Sequence, residues 1–127
     1  MLKIFKFFES FARNKSSKMD WINLNSVEQL NEIDEKSKEK AQVIFKHSTR
    51  CSVSTFAKRI LTSEYNDEVQ AKADVYYLDL ISFREVSNEI ASRYSVYHES
   101  PQILVIKDGK CVYDASHSEV SFEKALN

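Results

Sequence analysis

Cys51 is the residue of this chain best placed to do chemistry. It follows Val43-Ile44-Phe45, which reads as a buried strand ending near His47, and the short polar loop Ser48-Thr49-Arg50. Beyond it Val53, Phe56, Ala57, Ile60 and Leu61 recur at helical spacing. A thiol at such a junction lies past the carboxyl end of a strand, where open α/β sheets bind ligands. It also lies at a helix amino end, where unpaired N–H groups and the positive pole of the dipole favour thiolate over thiol. The thiolate is the nucleophile. Arg50 adds a permanent positive charge next door, and Ser54 sets a hydroxyl one turn along, within reach of the sulfur. A Cys can also be a small apolar filler at a helix start. The polar Ser, Thr and Arg neighbours argue against an apolar pocket here. Cys111 has no such context and reads as a packing residue in the last strand.

Other chemistries find no residues to carry them. The chain has 127 residues, one Gly and one Pro, against roughly nine Gly and six Pro at average usage. With Gly109 alone there is no phosphate-cradling loop, dinucleotide fingerprint or nucleophile elbow. His47, His98 and His117 are scattered and no C-x-x-C exists, so no metal site is expected. Eighteen basic and nineteen acidic residues leave a net charge of -1, with no global basic field for nucleic acid. Two cysteines do not make a disulfide scaffold, so the expected compartment is the reducing cytoplasm.

The elements that must position Cys51 alternate. Trp21 to Leu24 reads as a short strand, and Ser26 with Gln29 as a capping box opening a helix through Val27, Leu30 and Ile33. The charged run Asp34 to Lys40 is a solvated helix end and turn. Ala41 to Phe45 and Val75 to Leu80 read as strands, and Ser82 with Glu85 as a second capping box. Gln102 to Lys107 and Cys111 to Ala115 are strands joined at Asp108-Gly109, a turn in which both central residues take positive φ. A last helix runs from about Ser121 to Leu126. The order β-α-β-α-β-α-β-β-α predicts an α/β sandwich with a mostly parallel sheet, to which the final hairpin adds an antiparallel strand.

Residues 1–19 form a separate amphipathic segment and tether ahead of one domain over 20–127. Ile4, Phe5, Phe7, Phe8, Phe11 and Ala12 share one face of a helical projection, and Lys3, Lys6, Glu9, Ser10 and Arg13 the other. Three readings stand open: a helix on a membrane surface, a helix packed on its own domain, or a terminus that orders only with a partner. Lys6 interrupts the apolar run a signal peptide would need.

His47-Ser-Thr-Arg-Cys-Ser-Val-Ser54, followed by His98-Glu-Ser-Pro-Gln102 and by Val112-Tyr-Asp-Ala-Ser-His117, resembles the monothiol bacilliredoxins, thioredoxin-like proteins of the bacillithiol system. The resemblance runs from about Trp21 to the carboxyl end. It implies a thioredoxin-like fold, a central mixed sheet flanked by helices, with Cys51 as the only catalytic cysteine. Ser54 then stands where a dithiol relative carries its second Cys. The implied reaction removes bacillithiol from mixed disulfides on client proteins, with bacillithiol as redox co-substrate and no bound cofactor. Pro101 would be the cis-proline facing Cys51, its bland alternative being a trans Pro at the start of an edge strand. Ser100, Pro101, Thr49 and His98 would line the substrate site, with Arg50 and Ser54 stabilising the thiolate.

The motif also departs from the family. The usual Thr-Cys-Pro-Ile-Ser is here Arg50-Cys51-Ser52-Val53-Ser54, and Ser52 restores a backbone N–H beside the sulfur. Ala41 to Phe45 supplies no buried acid, and His47 and His98 read more simply as satisfied or exposed histidines than as bases. The competing function is a thioredoxin-like binding module without turnover, held to a membrane by residues 1–13. Tyr65, Tyr97 and Tyr113 fit a core or a partner surface equally.

Overall fold

The fold grows outward from one strand whose every residue is buried, β2 (Ala41–His47). A computed structural model describes residues 19–127; the expectations for residues 1–18 lie outside them. Apolar side chains alternate on β2, so a helical layer must cover each face. Val43 and Phe45 point to one side, with Ala57, Leu61, Tyr65, Val69 and Phe122. Ile44 points to the other, with Leu30, Ile33, Val86 and Ile90.

Around β2 the chain runs β1 (Ile22–Asn23), α1 (Glu28–Lys36), β2, α2 (Ser52–Glu64), α3 (Asp67–Lys72), β3 (Ala73–Asp79) and α4 (Arg84–Tyr94). It ends in β4 (Gln102–Lys107), β5 (Lys110–Ser116), a 3-10 turn (His117–Glu119) and α5 (Phe122–Ala125). The sheet order is β1-β3-β2-β4-β5. β1 and β2 both pair parallel with β3, and β4 lies antiparallel between β2 and β5. This is the mixed, helix-flanked sheet the resemblance implied.

The reversal at β4 has a simple origin. α4 is 11 residues long, so it carries the chain about 16 Å back across the sheet. Ser95 takes the left-handed conformation (φ 55°) and ends the helix. The seven residues from Ser95 to Pro101, extended, can span about 23 Å. They retrace the helix and start β4 at the edge where β2 ends.

Several local expectations are met. Ser26 and Gln29 form the reciprocal cap: the Gln29 N–H donates to Ser26 Oγ (3.4 Å), and the Ser26 N–H to Gln29 Oε1 (3.1 Å). Asp108 and Gly109 both have positive φ, 51° and 72°. A side chain at Gly109 would meet nothing within 4 Å, so its need for glycine is conformational only. The Gly109 N–H also donates to Ser37 Oγ (2.8 Å), tying the turn to the end of α1.

Three expectations need correction. The sheet is not mostly parallel, because β4 runs antiparallel to β2 as well as to β5. Ser82 does not cap α4, because its hydroxyl donates to Asp79 Oδ2 (2.9 Å) and the helix starts two residues later. The element order also gains a helix, α3. Asn66 Oδ1 accepts from the Val69 N–H (2.9 Å) and Asp67 and Glu68 favour the first turn, a start signal present in the sequence. β5 carries a bulge: Val105 pairs with Tyr113 and Ile106 with Cys111, leaving Val112 extra and exposed.

The carboxyl end is fastened by Glu64 at the end of α2. Its Oε1 accepts the Phe122 N–H (2.6 Å) and its Oε2 the Ser121 hydroxyl (2.7 Å). Charge-assisted bonds of this kind contribute about 1.5–3 kcal/mol each. Glu64→Ala is expected to lower stability by about 2 kcal/mol, read as a lower urea midpoint at unchanged slope, and Glu64→Gln to recover part of it. A midpoint unmoved in the Ala variant would remove Glu64 from the account.

Candidate active site

Cys51 is the N-cap of α2, with φ -114° and ψ 121°, the extended conformation that turns a chain from strand into helix. Its N–H donates to the Ser48 carbonyl (3.2 Å), and its own carbonyl accepts from the Thr55 N–H (3.1 Å). The residue is half-buried and its thiol is free. Thr49 and Arg50 stand exposed on the loop before it, and Val53 and Phe56 are 47% and 62% exposed on the first turns after it. The sulfur therefore sits at a surface edge whose rim is part basic and part apolar.

Ser54, one turn along, is fully buried. Its oxygen accepts from the Ser48 N–H (3.0 Å) and lies 2.7 Å from His47 Nδ1. The hydroxyl expected to serve the sulfur is thus committed to the loop and to a histidine, because β2 delivers His47 directly beneath the first turn of α2. Burial pushes the His47 imidazole below its usual range, and Lys58 adds to this while Asp79 opposes it. The ring also packs on Tyr77, centroids 5.4 Å apart, and on Phe45 at 5.7 Å. Ser54→Ala leaves the Ser48 N–H and His47 Nδ1 without this partner in a buried place. The expected cost is about 2 kcal/mol, read by denaturant unfolding; a loss below about 0.5 kcal/mol would show that the network contributes nothing.

The second arm comes from β4. The Ser100–Pro101 peptide bond is cis, as the resemblance implied. Pro101 is buried, and its carbonyl accepts the His117 N–H (2.9 Å). Ser100 stands just ahead of the strand. The register pairs Gln102 with Lys46, the last residue but one of β2. The cis-proline arm and the Cys51 loop therefore rise from the same edge of the sheet. The Gln102 side-chain amide donates to the Tyr97 carbonyl (3.0 Å), tying down the approach to Pro101.

His98 is on this arm, with its ring partly in solvent and Nδ1 turned inward. That nitrogen is 3.3 Å from Lys46 Nζ and 3.3 Å from Ser87 Oγ. Lys46 has no exposed surface, and burial pushes its ammonium down to about 8. The sequence reading missed Lys46 and Ser87. The signal was available, since a strand buried on both faces leaves no solvent-facing position for a lysine. The reading also placed no partner on His47, because nothing in the chain order joins it to Ser54.

Cys111 is half-buried, donates to the Tyr113 carbonyl (3.3 Å) and has its thiol pushed up by burial. Of the three tyrosines, Tyr65 is core, Tyr113 is partly buried against it and Tyr97 is 93% exposed. Among the described residues no group of three His, Cys, Asp or Glu could hold a metal ion, and no helix is long and apolar enough to cross a membrane.

A half-buried cysteine capping the helix after the central strand, at the same end of the sheet as a cis-proline that opens an antiparallel strand, is the arrangement of thioredoxin-fold oxidoreductases. Solved structures agree. A protein of thioredoxin fold assigned as an oxidoreductase matches with TM-score 0.69 and 28% identity over 80% of this chain and 87% of its own. Thioredoxin from Malassezia sympodialis matches with TM-score 0.70 at 14% identity, over 87% of this chain and 90% of its own. Mitochondrial thioredoxin 3 from Saccharomyces cerevisiae matches with TM-score 0.54 at 18% identity, over 75% and 81%. The last two speak for the fold alone. Within this class the particular family is shown by its model, monothiol bacilliredoxin BrxC, which matches residues 22–125. The chain belongs to that family.

Proposed function

We propose that this protein removes bacillithiol from mixed disulfides on client proteins through Cys51 alone. The observation that carries the reading is the pairing of Cys51 at the α2 N-cap with a serine, Ser54, where a dithiol enzyme would need its second thiol. Cys51 thiolate attacks the bacillithiol sulfur of the mixed disulfide. The S–S bond to the client breaks, and the client leaves as a thiolate that takes a proton from solvent. A second bacillithiol thiolate then attacks the sulfur bound to Cys51, releasing bacillithiol disulfide and restoring the enzyme thiolate. Thiol exchange of this kind needs no metal or organic cofactor.

In this reading the other residues have bounded roles. Arg50 supplies a fixed positive charge to the exposed loop beside the thiolate. Ser54 supports the site from below, through the Ser48 N–H and His47. Thr49, Ser100, Pro101 and His98 border the substrate, with the backbone at Ser100 free to pair with an extended thiol substrate as a strand pairs with its neighbour. The cytoplasm is the compartment that suits two free cysteines.

The test is incubation with oxidised bacillithiol, oxidised glutathione and the disulfide of coenzyme A, followed by intact mass. The expected product is one bacillithiol adduct on the wild type, absent in Cys51→Ser. No adduct from any of the three would leave a binding module without turnover. A preferred glutathione or coenzyme A adduct would keep the chemistry and replace the thiol.

A further inference from the structure

The buried charge at Lys46 lies outside the exchange chemistry, and it needs a reason. Isolating an ammonium from water costs several kcal/mol before its contacts are counted. Here the contacts are few: Nζ donates to the Ser87 carbonyl (3.2 Å) and faces His98 Nδ1 at 3.3 Å. An ammonium has only donors to offer. The nitrogen facing it must therefore be the lone-pair nitrogen, and a neutral His98 then carries its proton on Nε2. A doubly protonated ring would set a second N–H against the ammonium.

We propose that Lys46 is a positioning residue that holds His98 as the neutral Nε2–H form, so that His98 presents a fixed donor selecting thiol substrates that carry a carboxylate. The selection rests on the reading of Cys51 as the exchanging thiol; the Lys46–His98 contact does not. Placement supports both parts. Lys46 lies across the ladder from Gln102, the residue after Pro101, so the ammonium sits directly beneath the cis-proline arm. With Nδ1 turned inward and the residue exposed, Nε2 is the nitrogen left to meet a ligand.

The surrounding charges point the same way. His98 is faced by Lys46 from β2 and Arg84 from the start of α4, and by Glu99 from its own arm. Burial lowers the imidazole first, then Lys46 and Arg84, with Glu99 opposing. Glu99 is itself engaged with His117 at 3.4 Å. Two cations against one shared carboxylate favour an anionic ligand group over a neutral or cationic one.

The first measurement is 15N NMR of the imidazole rings in the full chain. His98 is expected as the Nε2–H form at pH 7 with a midpoint below the usual 6.5, and Lys46→Met is expected to raise that midpoint and mix the two forms. A wild-type ring protonated at Nδ1 would overturn the assignment without any variant having to fold. The second measurement compares the rate of adduct formation on Cys51 with oxidised glutathione and with its tetraethyl ester, in which all four carboxyl groups are blocked. The free acid is expected to react about tenfold faster in the wild type. That preference should fall toward unity in His98→Phe and in Lys46→Met, and return in part in Lys46→Arg. An unchanged preference in His98→Phe would overturn the selection. Failure of both disulfides to react, with no adduct from oxidised bacillithiol either, would sink the exchange reading and with it the selection, while reaction of oxidised bacillithiol alone would overturn selection by a carboxylate as such; the NMR signature still decides the Lys46–His98 contact.

Discussion

Cys51→Ser is expected to abolish release of bacillithiol from a client mixed disulfide, with a loss of at least about a thousandfold in rate. The reason is chemical. A serine hydroxyl stays protonated at neutral pH and is a poor nucleophile toward disulfide sulfur, whereas exchange proceeds only through thiolate. Cys111 cannot take over. Its thiol is pushed up by burial, it is bonded to the Tyr113 carbonyl, and it sits beyond the β4–β5 turn at the opposite end of the strands from Cys51. Cys111→Ser should therefore keep nearly full activity. The two variants, assayed with one bacillithiolated client and mass detection of the released thiol, make a closed comparison. Substantial turnover in Cys51→Ser, or its loss in Cys111→Ser, would assign the chemistry to the wrong sulfur.

Lys46→Met is expected to stabilise the protein by about 2 kcal/mol at pH 7, since it removes a buried charge and keeps an apolar stem of similar length. The sign follows from linkage. The folded protein holds the Lys46 ammonium only up to about pH 8, whereas the ordinary value is 10.5. Between those values the unfolded chain binds more protons than the folded one, so this group makes stability rise with pH. Its penalty is full below pH 8 and is relieved as pH approaches 10.5. Urea unfolding at several pH values should show the variant's advantage over wild type shrinking across that window. A gap that does not depend on pH would mean that folding does not push the Lys46 ammonium below its ordinary value. If the variant proved less stable than wild type, the Ser87 and His98 contacts would be worth more than the desolvation they offset.

These two residues also mark how unevenly the chain discloses itself. Cys51 could be singled out from sequence because strand, polar loop and helix start are local patterns. Each depends on residues within one or two turns of the thiol, so backbone and solvent alone place it at a helix end. The Asp108-Gly109 turn, with φ of 51° and 72°, was legible for the same reason. The cis form at Pro101 was not local in this sense, and it was reached through family resemblance.

What tertiary structure alone decided is long-range. Ser54 is three residues past Cys51, yet its hydroxyl turns to His47, because β2 brings that ring under α2. Lys46 looked like an ordinary strand-end lysine until α4 and the arm before β4 closed over it, with partners 41 and 52 residues away. A hydrophobic pattern records which positions are buried and cannot say which polar groups meet there. That choice is made by the register between β2 and β4 and by the chain's return along α4, which depend on packing of the whole sheet. Local patterns in the chain were enough to place Cys51 at a helix start, the α/β class and the hairpin. The folded molecule determined its surroundings: a buried histidine beneath the helix, a buried lysine beneath the cis-proline arm, and a second cysteine at the far end of the strands.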